Sequence, residues 1–246
     1  MFSFYEYEDT LAAGRRTGFE YSTDDGDSWT ASAFDSVEVF SFEYMDGTWF
    51  AGTKTGLYSS TSISGTFEQV EDLSDVQVHA LHKYQNHIIA GTDSGAFRID
   101  PGDLTVHTVF QDSNLGSVKT INTIEETLLL GTGDGLYECT TDTEDCRLTG
   151  VPNSQIRSVN LQGQDTLWVG STTHVYRYFM ETGQWDSSSV PIDGSTLSGN
   201  IIPLGNHRFH SFGDDYLYTC SMENSQCDST QVDPGNRIFD LAKNSE

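Results

Sequence analysis

A short apolar run ending in glycine recurs along this chain at nearly constant spacing. It reads LAAGRRTGFEY from Leu11, WFAGTKTGLYS from Trp49, IIAGTDSGAFR from Ile88, LLLGTGDGLYE from Leu128 and LWVGSTTHVYR from Leu167. A degenerate sixth copy, FHSFGDDYLYT, begins at Phe209. The anchors Gly14, Gly52, Gly91, Gly131, Gly170 and Phe212 lie 38, 39, 40, 39 and 42 residues apart. A period of this size means a repeat architecture in which copies bury their faces against one another.

Each copy has the same internal order. An apolar stretch such as VQVHAL or VKTINTI comes first, then a tight turn, the glycine-ended run, a short polar loop, an aliphatic–aromatic pair and a closing stretch. Segments of four to six residues with frequent turns are β-strands. Four strands per copy at this period are the blades of a propeller, and no amphipathic helical run competes. The expected fold is all-β: one β-propeller domain over residues 1–246, with six blades of four antiparallel strands. RIFDLA, from Arg237, reads as a further inner strand besides the one at Phe2 to Glu6. It either latches the ring or marks a seven-bladed or longer array from which the chain is cut.

Two offsets after each anchor, eight and fifteen residues, flank the hairpin between the third and fourth strands. They hold Ser22 and Trp29, Ser60 and Phe67, Cys139 and Cys146, Tyr178 and Trp185, and Cys220 and Cys227. Cysteines at directly opposed strand positions meet the separation a disulfide needs, so the pairings expected are Cys139–Cys146 and Cys220–Cys227. Four free thiols are the alternative; a zinc site fits worse, because the spacing is not CxxC. Disulfides point to an oxidising compartment, extracellular or periplasmic.

The segment STDDGDSW carries Ser22, Asp24, Gly26, Ser28 and Trp29 in the pattern S-x-D-x-G-x-[ST]-W. It resembles the Asp-box of BNR, or sialidase-like, propellers, and STSISGTF from Ser60 resembles a decayed copy. The units are also similar to sensor propeller repeats of two-component regulators. The resemblance implies a structural role for the Asp-box, on the side away from the ligand. Sialidase activity would need an arginine cluster, a Tyr–Glu pair and an Asp acid. The chain has eight arginines and no RIP-like segment near its start. A glycoside hydrolase is therefore the lesser expectation, and no catalytic residue is assigned.

The formal charge of −25, from 37 acids against 12 bases, repels nucleic acid over most of the surface. No apolar run is long enough to span a membrane. MFSFYEYEDT is too acidic for a signal peptide, which implies a trimmed signal or an excised domain, as a monomer or part of a larger chain. No histidine cluster has metal-ligand spacing; His79 and His82, three apart on one strand, are expected on opposite sides. No cofactor is expected; the acidic turns TDDGD and TDTED offer oxygens that suit Ca²⁺, with solvated surface charge as the plainer reading.

The bases are unevenly placed. Aligned inner strands put Phe2, Phe40, His79, Lys119, Arg157, Asn200 and Arg237 in their second column, at the face where those strands start, here called the top. The loop between the second and third strands adds Arg15, Arg16 and Lys54 on that face. Six of twelve bases thus gather near the axis, an attractive seat for an anion. The candidate ligand site is Arg15, Arg16, Lys54, His79, Lys119, Arg157 and Arg237 with Phe2 and Phe40. Its expected partner is an anionic saccharide or a small carboxylate, bound without catalysis; a protein partner on the same face, as in an adhesin, sensor or assembly factor, is the alternative. The plainer reading is that each base is neutralised by a nearby acid.

Overall fold

The computed structural model describes residues 3–34, 36–111, 116–140, 145–152, 154–163, 165–189, 201–205, 207–213 and 216–231. Among these, every regular element is a strand: 24 strands form six four-stranded antiparallel meanders. The first strands of the six sheets are Ser3–Tyr7, Val39–Met45, Val78–Tyr84, Thr120–Ile124, Ile156–Gln162 and Ile202–Pro203. Each of the first five packs against the first strand of the next sheet. The sheets are the six blades of a β-propeller, and these strands line its axis. Phe2 and the segment from Arg237 lie outside the described residues.

The core lies between blades. Leu128 and Leu130 pack toward Ile89 and Ala96 of blade 3, while Leu129 between them packs toward Val159 and Leu167 of blade 5. Alternate side chains of one strand therefore serve two interfaces. A second strand buried on both faces must be apolar throughout, which is why the runs read WFAG, IIAG, LLLG and LWVG.

The anchor glycines mark where the next blade approaches. Gly91 pairs with Ala80 in its own blade, and a Cβ on it would lie 2.8 Å from both Val118 Cγ1 and the Val118 carbonyl oxygen. Gly52 stands in the same relation to Val78. The residue after the anchor ties the loop below it. Thr53, Thr92 and Thr132 are fully buried; their hydroxyls donate to the carbonyls of Gly56, Gly95 and Gly135 at 2.8, 3.0 and 3.0 Å. The same hydroxyls accept from the N–H of Thr55, Ser94 and Asp134.

The outer hairpins follow the expected register. Cys139 faces Cys146 and Cys220 faces Cys227, each pair disulfide-bonded with Cα atoms 4.1 Å apart. Tyr178 faces Trp185 at the same station in blade 5. In blade 1, Ser22 Oγ donates to Asp24 Oδ1 at 2.7 Å and accepts from Gly26 N–H at 2.8 Å. Asp24 accepts from Ser28 N–H at 2.9 Å and from the Ser28 hydroxyl at 2.5 Å. These bonds hold the Asp24 carboxyl below its ordinary pKa. Gly26 takes φ +91°, and Trp29 closes the turn by donating Nε1–H to the Gly26 carbonyl at 3.1 Å.

Candidate functional site

Loops between second and third strands share a face with the starts of the inner strands. Lys54 N–H donates to the Glu38 carbonyl, Asp93 N–H to Gln77 and Thr172 N–H to Gln155. On this top face the inner strands of blades 2, 3 and 5 begin with a β-bulge. Phe40 stands unpaired between Val39, opposite Thr53, and Ser41, opposite Gly52. His79 and Arg157 hold the equivalent place in blades 3 and 5. Lys119 directly precedes the paired Thr120 of blade 4. A bulge re-aims the extra residue, and here it turns Phe40 toward His79 and His79 toward Lys119, each in the next blade.

The result is a row around the axis. The Phe40 and His79 rings lie 5.8 Å apart. Lys119 Nζ is 2.8 Å from His79 Nε2, and Arg157 is near enough to lower the Lys119 pKa. Asp93, on the loop of blade 3, places Oδ1 2.6 Å from His79 Nε2 and 4.0 Å from Lys119 Nζ. A carboxylate only accepts and an ammonium only donates, so Asp93 and Lys119 compete for His79 Nε2: the neutral ring either donates there to Asp93 or accepts there from Lys119. Burial, above all, lowers the pKa of His79, of Lys119 and of Arg157. Arg157 Nε is buried and makes no hydrogen bond among the described residues.

The other predicted residues are placed differently. Arg15 pairs with Glu20 of its own blade. Lys54 Nζ lies 3.5 Å from Glu38. These two bases are neutralised locally, as the plainer reading has it, and Arg16 is exposed beside Arg15. Phe2 and Arg237 are outside the described residues. His79 and His82 do not face opposite sides: both reach blade 4, His79 at Lys119 and His82 Nε2 at the Thr123 hydroxyl, 3.2 Å away. The bulge at His79 inserts one residue and resets the strand's alternation.

Three residues below this row, roughly 10 Å along the strands, runs a second polar layer that the sequence reading missed. Tyr5 donates its hydroxyl to Glu43 Oε1 at 2.5 Å, and Glu43 lies 3.6 Å from Lys83 Nζ. His82 meets Thr123; Asn122 donates to the Val159 carbonyl at 3.0 Å and Asn160 to that of Ile201 at 2.6 Å. Each of these side chains joins its inner strand to the next. The signal was present: Tyr5, Glu43, His82, Asn122 and Asn160 each stand three places after the second-column residue of their inner strand.

Asp93 was also missed. Its position, two after the anchor, holds Arg16, Lys54, Gly133 and Thr172 in blades 1, 2, 4 and 5. Among the described residues no group of three or more His, Cys, Asp or Glu side chains is placed to hold a metal ion. Among them too, no helix is long and apolar enough to cross a membrane.

No protein-family model and no curated protein matches the sequence. Solved structures match the fold across almost the whole chain. An extracellular domain ascribed to a one component system of B. thetaiotaomicron superposes with a TM-score of 0.78 at 17% identity, over 99% of this chain and 35% of that one. An ancestral GH74 enzyme gives 0.70 at 16% identity, over 94% of this chain and 38% of its own. The computationally designed Ika8 protein gives 0.66 at 12% identity, over 99% and 78%. The chain thus spans about a third of that extracellular domain's length. At these identities the likeness is one of fold.

Proposed function

We propose that this chain is a single-domain, non-catalytic recognition propeller whose top mouth binds an anionic saccharide or small carboxylate through Arg157 and Lys119, beside His79 and Phe40. What carries the reading is the row itself. Two cations and an imidazole stand side by side at the axis of a molecule of charge −25, and among the described residues the Arg157 Nε–H has no acceptor. A guanidinium offers a planar fork that fits a carboxylate, and a cleft of one sign in a field of the other concentrates its counter-ion. Phe40 gives a flat apolar wall for the face of a ring.

The two disulfides support a role in an extracellular or periplasmic setting. The Ser22–Trp29 turn supports reading the first hairpin as an Asp-box, with a structural task. The test is calorimetric titration of the protein with glucuronate and with glucose. Glucuronate is expected to bind and glucose not. Arg157→Ala and Lys119→Ala each remove a charge-assisted bond, so affinity should fall about tenfold or more. Equal binding of the two sugars, or a wild-type affinity in Arg157→Ala, overturns the proposal.

A further inference from the structure

We infer that Asp93 sets the charge selectivity of this mouth: its carboxylate is a built-in occupant of the anion seat, and it tunes the site to ring-bearing monocarboxylates over dianions. The inference rests on the reading of the mouth given above and names its ligand class.

The fold does not require an acid at this place. In blade 4 the equivalent residue is Gly133, and the loop keeps the same knot, with the Thr132 hydroxyl on the Gly135 carbonyl and Asp134 N–H on that hydroxyl. In blade 3 the knot uses Thr92, Ser94 and Gly95, while Asp93 contributes only its backbone N–H, to Gln77. Blades 1, 2 and 5 carry Arg16, Lys54 and Thr172 there. The Asp93 side chain is thus free of any task in the turn.

It lies where a bound anion would lie. The carboxylate is 51% exposed, yet it reaches onto His79, whose side chain is 8% exposed. It approaches from solvent, with Oδ1 2.6 Å from His79 Nε2 and 4.0 Å from Lys119 Nζ. That leaves the far end of the row, Lys119 and the half-buried Arg157 guanidinium, for an outside ligand.

The charges then decide the class. Lys119 and Arg157 bring two positive charges, Asp93 one negative, and His79, held neutral by burial, none. A net single positive charge is balanced by one carboxylate. A second ligand charge would sit beside Asp93; at about 6 Å and an effective dielectric of about 40, that repulsion is worth roughly a tenfold loss of affinity. Phe40, tilted against His79 with ring centroids 5.8 Å apart, is the apolar contact for the ring.

Glucuronate and glucose 6-phosphate share a pyranose ring and carry one or about two charges at the same carbon, so they separate these cases. Titration at pH 7.5 should show the wild type favouring glucuronate by about tenfold. In Asp93→Asn, glucose 6-phosphate should gain at least about tenfold relative to glucuronate. Asp93→Thr, which copies Thr172, is the second variant, and thermal melts check that both fold. A ratio unchanged in both variants, with glucuronate still bound through Arg157, overturns the inference and leaves the proposed function standing. Absence of glucuronate binding in the wild type overturns both.

Discussion

Asn160 of blade 5 donates its side-chain amide to the backbone carbonyl of Ile201 in blade 6, at 2.6 Å. Asn122 does the same to Val159 one blade earlier. Ile201 is fully buried, so its carbonyl depends on this donor where water is excluded. Asn160→Leu should cost about 1–3 kcal/mol, read as a lowered urea midpoint. A midpoint within error of wild type would show that the polar layer does not hold the blades together.

Gly91 tests the blade contact itself. A Cβ there meets Val118 Cγ1 and the Val118 carbonyl oxygen at 2.8 Å, and backbone cannot step aside as a side-chain tip can. Gly91→Ala should destabilise by about 1–3 kcal/mol. The control is Gly102→Ala, where the nearest atom is a flexible one, Asp100 Oδ1 at 3.3 Å; its midpoint should barely move. Equal effects at the two positions would mean that the anchor glycine is not there for close approach.

His82 makes the polar layer sensitive to acid. Burial pushes its pKa down from 6.5 to about 4. The unfolded chain takes the proton first, so His82 drains stability as pH falls through 6.5, and the loss is complete below about 4. Glu43, raised by burial, acts oppositely: its folded carboxyl binds a proton before the unfolded one does, and this restores some stability as pH falls. His79, also lowered, shares the sign of His82. His82→Asn, which copies Asn122 and Asn160, should flatten the fall in urea midpoint between pH 6.5 and 4 without abolishing it. An unaltered slope would remove His82 from the account.

Much of this was legible in the chain because the repeat fixes register. Once Gly14 through Gly170 are aligned, the second column of the inner strands follows, and Phe40, His79, Lys119 and Arg157 do stand together. The cysteine pairs were legible for the same reason. What the repeat could not reveal was the aim of individual side chains. Arg15 and Lys54 lie on the expected loops but turn to Glu20 and Glu38, choices made by contacts that no column displays. The bulge at His79 adds a residue without changing the pattern of residue types, so strict alternation put His79 and His82 on different sides. Asp93 looked like one more acid among 37; only its place two residues after Gly91 separates it from solvated charge.

The most direct test of an anion seat at the propeller mouth is nuclear magnetic resonance of His79 during titration with glucuronate. Its ring Cε1–H lies beside Lys119 and Asp93, whereas His82 belongs to the polar layer below and His207 to blade 6. The predicted result is a saturable shift at His79, with the Lys119 Cε–H signals moving in step and His207 unmoved. Saturating glucuronate that leaves His79 and Lys119 in place, or shifts all histidines alike, would contradict the account.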